Sequence, residues 1–390
     1  MSSSISRYQP HVMALLNEQI QKGTFSQVSL FGGDRFTLRM SAAIECARVL
    51  SCKSGAEESC TCSSCTQFAS LSYSDLLIVS QRDHRLRIEA ALNAFVQEPN
   101  GVWRNRLIQT IRIPLLSYHP VLLEDASASQ QGLAARALAT SDLLYDLLGK
   151  GELTQESAEV FARSLRKALK DLYASFPKST TVTIREVRAI DRWVHQTNIS
   201  DQLRFVILEG IEQTNVAARN ALLKLLEEPP KGVYFFLISE HPSRIMETIL
   251  SRSRRYLFAP LTKEVERQFI ASYHVGAHTY ENIQSFYLTQ SGVNIQDSTI
   301  LVEQVLASLI GGRALDSKTV ATITGEIEKA GSLEYVLTLL GEEINKSVLS
   351  RKYRMDAVRL ISEAYSIGQL YNQNQRFTFE ALYYRLLEER

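Results

Sequence analysis

The stretch Asn220-Ala-Leu-Leu-Lys-Leu-Leu-Glu-Glu-Pro-Pro-Lys231, followed at once by Val233-Tyr-Phe-Phe-Leu-Ile-Ser239, changes its hydrophobic period in mid-course. Over residues 217–228 the apolar positions recur at helical spacing, and Pro229 and Pro230, which lack the N–H that a helix needs, stop the pattern. The run after Gly232 is almost continuously apolar and of strand length, which suits a parallel strand covered on both faces. Similar runs lie upstream at residues 203–208 and 75–80, and a third, after Ser26, ends in Gly32-Gly33 before helical spacing at 39–50. Strands alternating with helices predict a doubly wound α/β domain with a parallel sheet. Residues 89–172 break that rhythm with helical spacing only, and beyond Pro260 every element reads as helical.

The 390 residues correspond to about two to three domains at ordinary domain size. Hydrophobic residues make up 45% and charged residues 22%, which excludes wholesale disorder. Forty-three Lys and Arg against 42 Asp and Glu leave a net charge of +1, so no global field steers the chain onto nucleic acid or anionic lipid, and any such contact must be local. No uncharged apolar run is long enough to span a bilayer, and residues 1–10 are polar, so no membrane association and a cytoplasmic location are expected. Four of the five cysteines, Cys52, Cys60, Cys62 and Cys65, fall within one short stretch, which suits a single metal ion better than a disulfide framework. Cys46, in an apolar helical segment, reads as a small buried thiol.

The segment 220–239, together with Thr248-Ile-Leu-Ser-Arg-Ser253, closely resembles the clamp-loader branch of the AAA+ ATPases. The resemblance is strong over residues 8–73 and 183–260 and rests on order and length in the C-terminal part. It implies an AAA+ α/β core at 1–260, carrying a zinc module at 52–65 and the mainly helical insertion at 89–172. A helical lid domain at 261–312 and a helical collar domain at 313–390 would follow, giving α/β plus all-α architecture.

Against the family's phosphate-binding P-loop, the matching positions here read Gly33-Asp-Arg-Phe-Thr-Leu38-Arg39-Met40. Gly33 is kept, but Leu38 stands for the second glycine, Arg39 for the lysine and Met40 for the hydroxyl that binds Mg²⁺. A Cβ crowds the phosphate path and a thioether is a poor magnesium ligand, so no ATP hydrolysis is expected. The paired acids of the next motif fall on Glu209 and Gly210, leaving no residue to orient an attacking water, and Glu209 reads as a strand-end carboxylate. The lid helix near residues 291–297 shows no nucleotide-sensing arginine.

Ser251-Arg252-Ser253 resembles the family's Ser-Arg-Cys motif, with Ser253 in place of the cysteine. The resemblance implies that Arg252, next to Ser251, is an arginine finger delivered in trans to a neighbouring motor subunit's ATP. The alternative is a surface ion pair within a basic patch of Arg244, Arg254 and Arg255. The cysteines resemble the family's zinc module, except that one residue and not two separates Cys60 from Cys62. Four thiolates with no open position imply structural zinc; free surface thiols are the alternative.

Taken together, the resemblance implies a non-catalytic subunit in a hetero-oligomeric ring with motor subunits and a clamp-opening subunit. Its contact with primed DNA and the sliding clamp would come through that assembly. An active motor ATPase and a zinc-dependent nucleic-acid-binding protein are the competing readings. In the insertion, Arg163, Arg166, Lys167 and Lys170 cluster on one helix side, which reads as a solvated face or a contact for phosphate or a partner's acids.

Overall fold

Five short strands pair side by side and in parallel: β1 (Val28–Gly33), β2 (Leu76–Val79), β3 (Arg204–Glu209), β4 (Val233–Ser239) and β5 (Arg254–Phe258), in the order β2-β3-β4-β1-β5. The register sets Val28 against Phe235, Val206 against Phe235 and Leu77 against Val206. This computed structural model describes residues 4–390 apart from 58, 81, 152, 177–180, 197–201, 274–279, 331–332 and 372–373. The chain divides into two compact units, Met1–Ile283 and Gln284–Arg390.

Successive strand residues point to opposite faces, and both faces of the sheet are covered. Leu30, Val79, Val206, Leu208 and Leu237 join one core with α10 (Ile184–His195) and α11 (Val216–Glu227). Phe31, Ile78, Phe205, Phe236 and Tyr256 join the other with α2 (Pro10–Gln21), α3 (Arg39–Ser51) and α4 (Ser63–Ala69). The short helices α1 (Ser4–Tyr8) and α12 (Glu247–Leu250) flank these layers, and α13 (Lys263–Ala271) follows β5. This is the doubly wound parallel sheet that the apolar runs predict. At the start of α10, Thr183 and Glu186 form a capping box, each side chain bonded to the other's backbone N–H.

The strand β5 was not among the sequence expectations. It is an edge strand bonded only to β1, and its burial pattern alternates, with Tyr256 and Phe258 inside and Arg255 and Leu257 outside. Arg255 therefore lies on the outward face of this strand, while Arg254, exposed as its first residue, shares the face of Tyr256 and Phe258.

Between β2 and α10 the chain forms α5 (Arg85–Gln97), α6 (Gly101–Leu116), α7 (Pro120–Leu123), α8 (Ala128–Gly149) and α9 (Gln155–Ala174). All four basic residues of the α9 stripe are exposed, and Arg166 reaches Asn93 at 2.8 Å and Glu89 at 3.8 Å on α5. The Arg106 guanidinium lies 5.0 Å from the Trp103 ring centre and 4.0 Å from that of Tyr273, which ties α6 to the segment after α13.

The second unit holds α14 (Ile283–Gln290, all but its first residue), α15 (Ile295–Gly311), α16 (Ser317–Ala330), α17 (Leu333–Lys346), α18 (Arg351–Tyr371) and α19 (Gln375–Glu388). Val305, Leu309, Ile323, Leu337, Leu340, Leu360 and Leu386 share one apolar core. Its buried tyrosines are satisfied: Tyr383 Oη lies 2.6 Å from Ser308 Oγ, and Tyr353 Oη donates to the Leu386 carbonyl at 2.8 Å.

Gly33 closes β1 at φ 154°, and a Cβ there would press on the Phe258 carbonyl oxygen and lie 3.1 Å from the Phe258 Cβ. Gly33→Ala is expected to lower stability by about 1–3 kcal/mol, through backbone strain and a pushed β1–β5 pairing. A denaturant titration followed by circular dichroism measures it.

Candidate functional sites: a charged crevice, a surface arginine and a four-cysteine centre

In a doubly wound sheet, side chains meet ligands in the crevice beyond the carboxyl ends of the strands, where polar groups need not enter the covered layers. Here β1 ends at Gly33, β2 runs into Ser80, β3 ends at Glu209 and β4 at Ser239. The turn from Gly33 into α3 carries two non-glycine residues in the left-handed region, Phe36 (φ 65°) and Leu38 (φ 67°), each costing about 1–2 kcal/mol. Leu38 thus holds a glycine-like backbone conformation as the N-cap of α3 without a side-chain capping bond.

Arg39 does not reach out of this turn. It is 4% exposed and folds inward, Nη1 bonding to the Ser239 carbonyl and Nη2 lying 3.3 Å from Glu240 Oε1. Met40 is 3% exposed and packs in the same core as Phe31 and Phe236. The sulfur is committed to packing and the guanidinium spans from α3 to the end of β4.

Glu209 closes β3, where it accepts a bond from Ser80 Oγ and pairs with Arg82 Nη1 at 2.7 Å. Gly210 follows at φ 78°, its N–H bonded to the Ile238 carbonyl at 3.0 Å, so any side chain in place of this glycine would strain the turn. Ser80 Oγ also meets His84 Nε2 at 2.9 Å. Burial, with Arg82 and Arg87 nearby, holds His84 well below the usual histidine range, so it is neutral at pH 7. Burial tends to raise the Glu240 carboxyl, but Arg35, Arg39, Arg82 and Arg87 outweigh it and keep the group below its ordinary value. Desolvation pulls Arg82 down to about 10, still charged at neutral pH. The Phe36 ring centre lies 5.4 and 5.8 Å from the guanidinium carbons of Arg35 and Arg87.

Sequence reasoning found Arg39, Met40, Glu209 and Gly210 but not Arg82, Arg87, His84 or Glu240. Their shared signal is position: Arg82 and His84 follow β2, and Glu240 follows β4, at the strand ends where such a crevice opens.

Arg252 lies away from that network, just after α12. Its Nη2 meets Glu227 Oε1 at 2.5 Å and its Nη1 donates to the Thr248 carbonyl at 2.9 Å, while about a third of the side chain remains exposed. Ser251 Oγ bonds to the Thr248 carbonyl at 3.1 Å, and Ser253 Oγ to that of Ile249 at 2.9 Å. The hydroxyl of Ser253 is thereby satisfied where a thiol would have packed. Glu227 belongs to the Glu-Glu-Pro-Pro stop of α11, so two sequence motifs meet in one ion pair.

The sulfurs of Cys52, Cys60, Cys62 and Cys65 all lie within 4.8 Å of one another, with Cys52 Sγ 3.7 Å from both Cys60 Sγ and Cys62 Sγ. Four thiolates around a tetrahedral Zn²⁺ with bonds near 2.3 Å would stand about 3.8 Å apart, so the donor set fits that ion. The compressed spacing between Cys60 and Cys62 does not prevent convergence. Outer contacts support the sulfurs: Arg48 Nη1 lies 3.0 Å from Cys65 Sγ and the Ser54 N–H points to Cys52 Sγ at 3.3 Å. The Cys65 backbone N–H draws the Cys62 thiol down to about 7, while burial pushes the Cys65 thiol up to about 12. Arg48 itself is fixed by Glu45, its Nε and Nη2 taking both carboxylate oxygens at 2.8 and 2.9 Å. Cys46 is fully buried elsewhere, its thiol pushed well up by desolvation.

A five-stranded parallel sheet of this order, with a turn at Gly33 feeding α3 and helical elements after β5, is the AAA+ type of α/β domain. The chain belongs to the family described as "DNA polymerase III, delta subunit", which matches residues 8–101 and 116–262. Among similar proteins, "DNA polymerase III subunit delta'" of Bacillus subtilis is 32% identical over 26% of this chain and 31% of its own length. The protein of the same name from Pseudomonas aeruginosa is 42% identical over 21% of this chain and 26% of its own. Human "Replication factor C subunit 4" is 24% identical over 54% of this chain and 62% of its own. The chain spans about a third of the length of the first two delta' relatives it matches. Among the described residues no helix is long and apolar enough to cross a membrane.

Purified without chelator, the chain is expected to carry about one equivalent of zinc, lost in Cys52→Ser. Because protons compete for the thiolates, affinity should fall as pH drops below neutrality; metal analysis across a pH series checks both.

Proposed function

We propose that the chain is a delta-prime-type, non-catalytic subunit of the DNA polymerase III clamp loader, with no ATPase activity of its own. The observation that carries this reading is Arg39, whose guanidinium is bonded to Ser239 and Glu240 inside the crevice, while Met40 is committed to the core. A P-loop must offer backbone N–H groups and a mobile cation to phosphate and a hydroxyl to Mg²⁺. Neither side chain is placed to do so. The names of the relatives support the assignment to replication.

In this reading Arg252, oriented by Thr248 and Glu227 and partly exposed, is presented in trans to ATP on a neighbouring motor subunit. A guanidinium that stays charged and forks onto two oxygens suits charge developing on a transferred phosphoryl group. Ser251 completes the motif by fastening the turn. The subunit works in the cytoplasm within a hetero-oligomeric ring of motor subunits and a clamp-opening subunit. It contacts primed DNA and the sliding clamp through that ring. Zinc at the four cysteines is structural. A core at 1–260, a lid at 261–312 and a collar at 313–390 would be the domains, with 89–172 inserted in the core.

The test is clamp- and primed-DNA-stimulated ATP hydrolysis by the cognate motor subunits, with this chain wild type, Arg252→Ala or omitted. Activity should depend on the chain and fall about tenfold or more with Arg252→Ala in an intact assembly. Equal activity would leave Arg252 as surface charge, and failure of the wild-type chain to assemble would reopen the whole reading.

A further inference from the structure

We propose that the four-cysteine centre governs how firmly the helical insertion is held: metal there fixes α4, the carboxyl end of α4 seats α6, and α6 braces α13. The inference rests on reading the four cysteines as a metal centre.

Helix α4 has seven residues, well below the length at which a helix holds itself in water. The fully buried Phe68, stacked on Tyr73 at 4.6 Å, anchors it to the sheet core and leaves its two ends to be fixed by other groups. At the amino end, Cys62 is the N-cap and Cys65 lies in the first turn, so two of the four converging sulfurs belong to this helix. At the carboxyl end, donors come from α6: Gln109 Nε2 bonds to the Phe68 carbonyl at 3.2 Å and Arg112 Nη1 to the Ser70 carbonyl at 2.5 Å. The last carbonyls of a helix lack intrahelical donors and carry partial negative charge, so a cation seated on them stabilises that end. Arg112 is 7% exposed, and the Tyr145 ring of α8 lies 5.0 Å from its guanidinium carbon, which shields the contact from water.

The other end of α6 is held by aromatic rings. The Arg106 guanidinium carbon lies 5.0, 5.7 and 4.0 Å from the ring centres of Trp103, Phe269 and Tyr273, and the rings of Trp103 and Tyr273 are 5.1 Å apart. Phe269 belongs to α13, Tyr273 follows it, and both are buried. Trp103 and Arg112 are separated by about two and a half helical turns, so α13 and α4 meet opposite sides of α6. Trp103, Arg106, Gln109 and Arg112 all fall between the two stretches that match the family, so the bridge is carried by residues outside those stretches. If α4 loosens, Gln109 and Arg112 lose their acceptors together. A buried cation without an acceptor is costly, so α6 gives way with α4, and the ring cluster on α13 follows.

Hydrogen–deuterium exchange of the full chain, zinc-loaded and after chelation, is the test. Removing the metal should speed exchange about fivefold or more in residues 63–69, 101–116 and 263–271, with β3 and β4 unchanged. Arg112→Met and Gln109→Ala should each loosen α6 and α13 in protein that still carries zinc; Gln109 is only half-buried, so its variant keeps the test intact if Arg112→Met does not fold. Arg106→Leu should loosen α13 with the α4–α6 contact still protected. Loosening confined to the cysteine loop and α4, or protection of α6 and α13 that neither chelation nor the Gln109 variant alters, overturns the proposal. Metal analysis of the same samples separates the two readings: failure to bind zinc removes the metal centre and the proposal with it, whereas unchanged exchange on losing about one equivalent of zinc removes the proposal alone.

Discussion

A parallel sheet covered on both faces leaves little room for charged side chains along its strands, and the organisation of the N-terminal unit follows from that constraint. Ile78, Phe205, Val206, Ile207, Phe235 and Phe236 are all fully buried, so the strands serve only as a rigid apolar floor. Charge is displaced to the ends. At the carboxyl ends of β1 to β4 the chain gathers four arginines, three glutamates, a serine and a neutral histidine within one network. Such a concentration is tolerable because most of the groups are paired, and it is rigid because the sheet fixes where each one starts.

Within that network, protein cations bridge the ends of neighbouring strands. Arg39 joins the β1 side to the end of β4, and Arg82 joins the segment after β2 to the end of β3. Two ion pairs thus cross the sheet from strand to strand. Opening such a buried pair by removing one partner strands the other charge, which makes the arrangement intolerant of single substitutions. The trans-acting candidate, Arg252, is built differently: partly exposed, held by one carboxylate and one carbonyl, and therefore able to exchange partners.

Much of this was legible from residues alone. The strands β1 to β4 announce themselves as apolar runs, and the two prolines after α11 mark its end because their effect on a helix is local. The cysteines were legible for the same reason, since ligands close in sequence need little of the fold to converge. β5 was missed because only Tyr256 and Phe258 face inward on an edge strand, and two arginines at its start masked the alternation. Arg82 was missed for a different reason. Nothing in Gln-Arg-Asp-His distinguishes it from any loop arginine until β2 and β3 are laid side by side and Glu209 is brought to 2.7 Å. Chemistry assembled across sequence gaps of more than a hundred residues is a property of topology.

Helix α3 has Leu38 as its N-cap and Cys52 as its C-cap. Its 13 residues form a rod about 20 Å long, one end opening the crevice with Arg39 and the other holding a metal-ligand candidate. Arg48, on the last turns of that rod, grips both the Cys65 sulfur and the Ala56 carbonyl. The cysteine loop and the crevice therefore share one rigid element, pinned between its two ends by the fully buried Ala42, Ala43, Cys46 and Ala47.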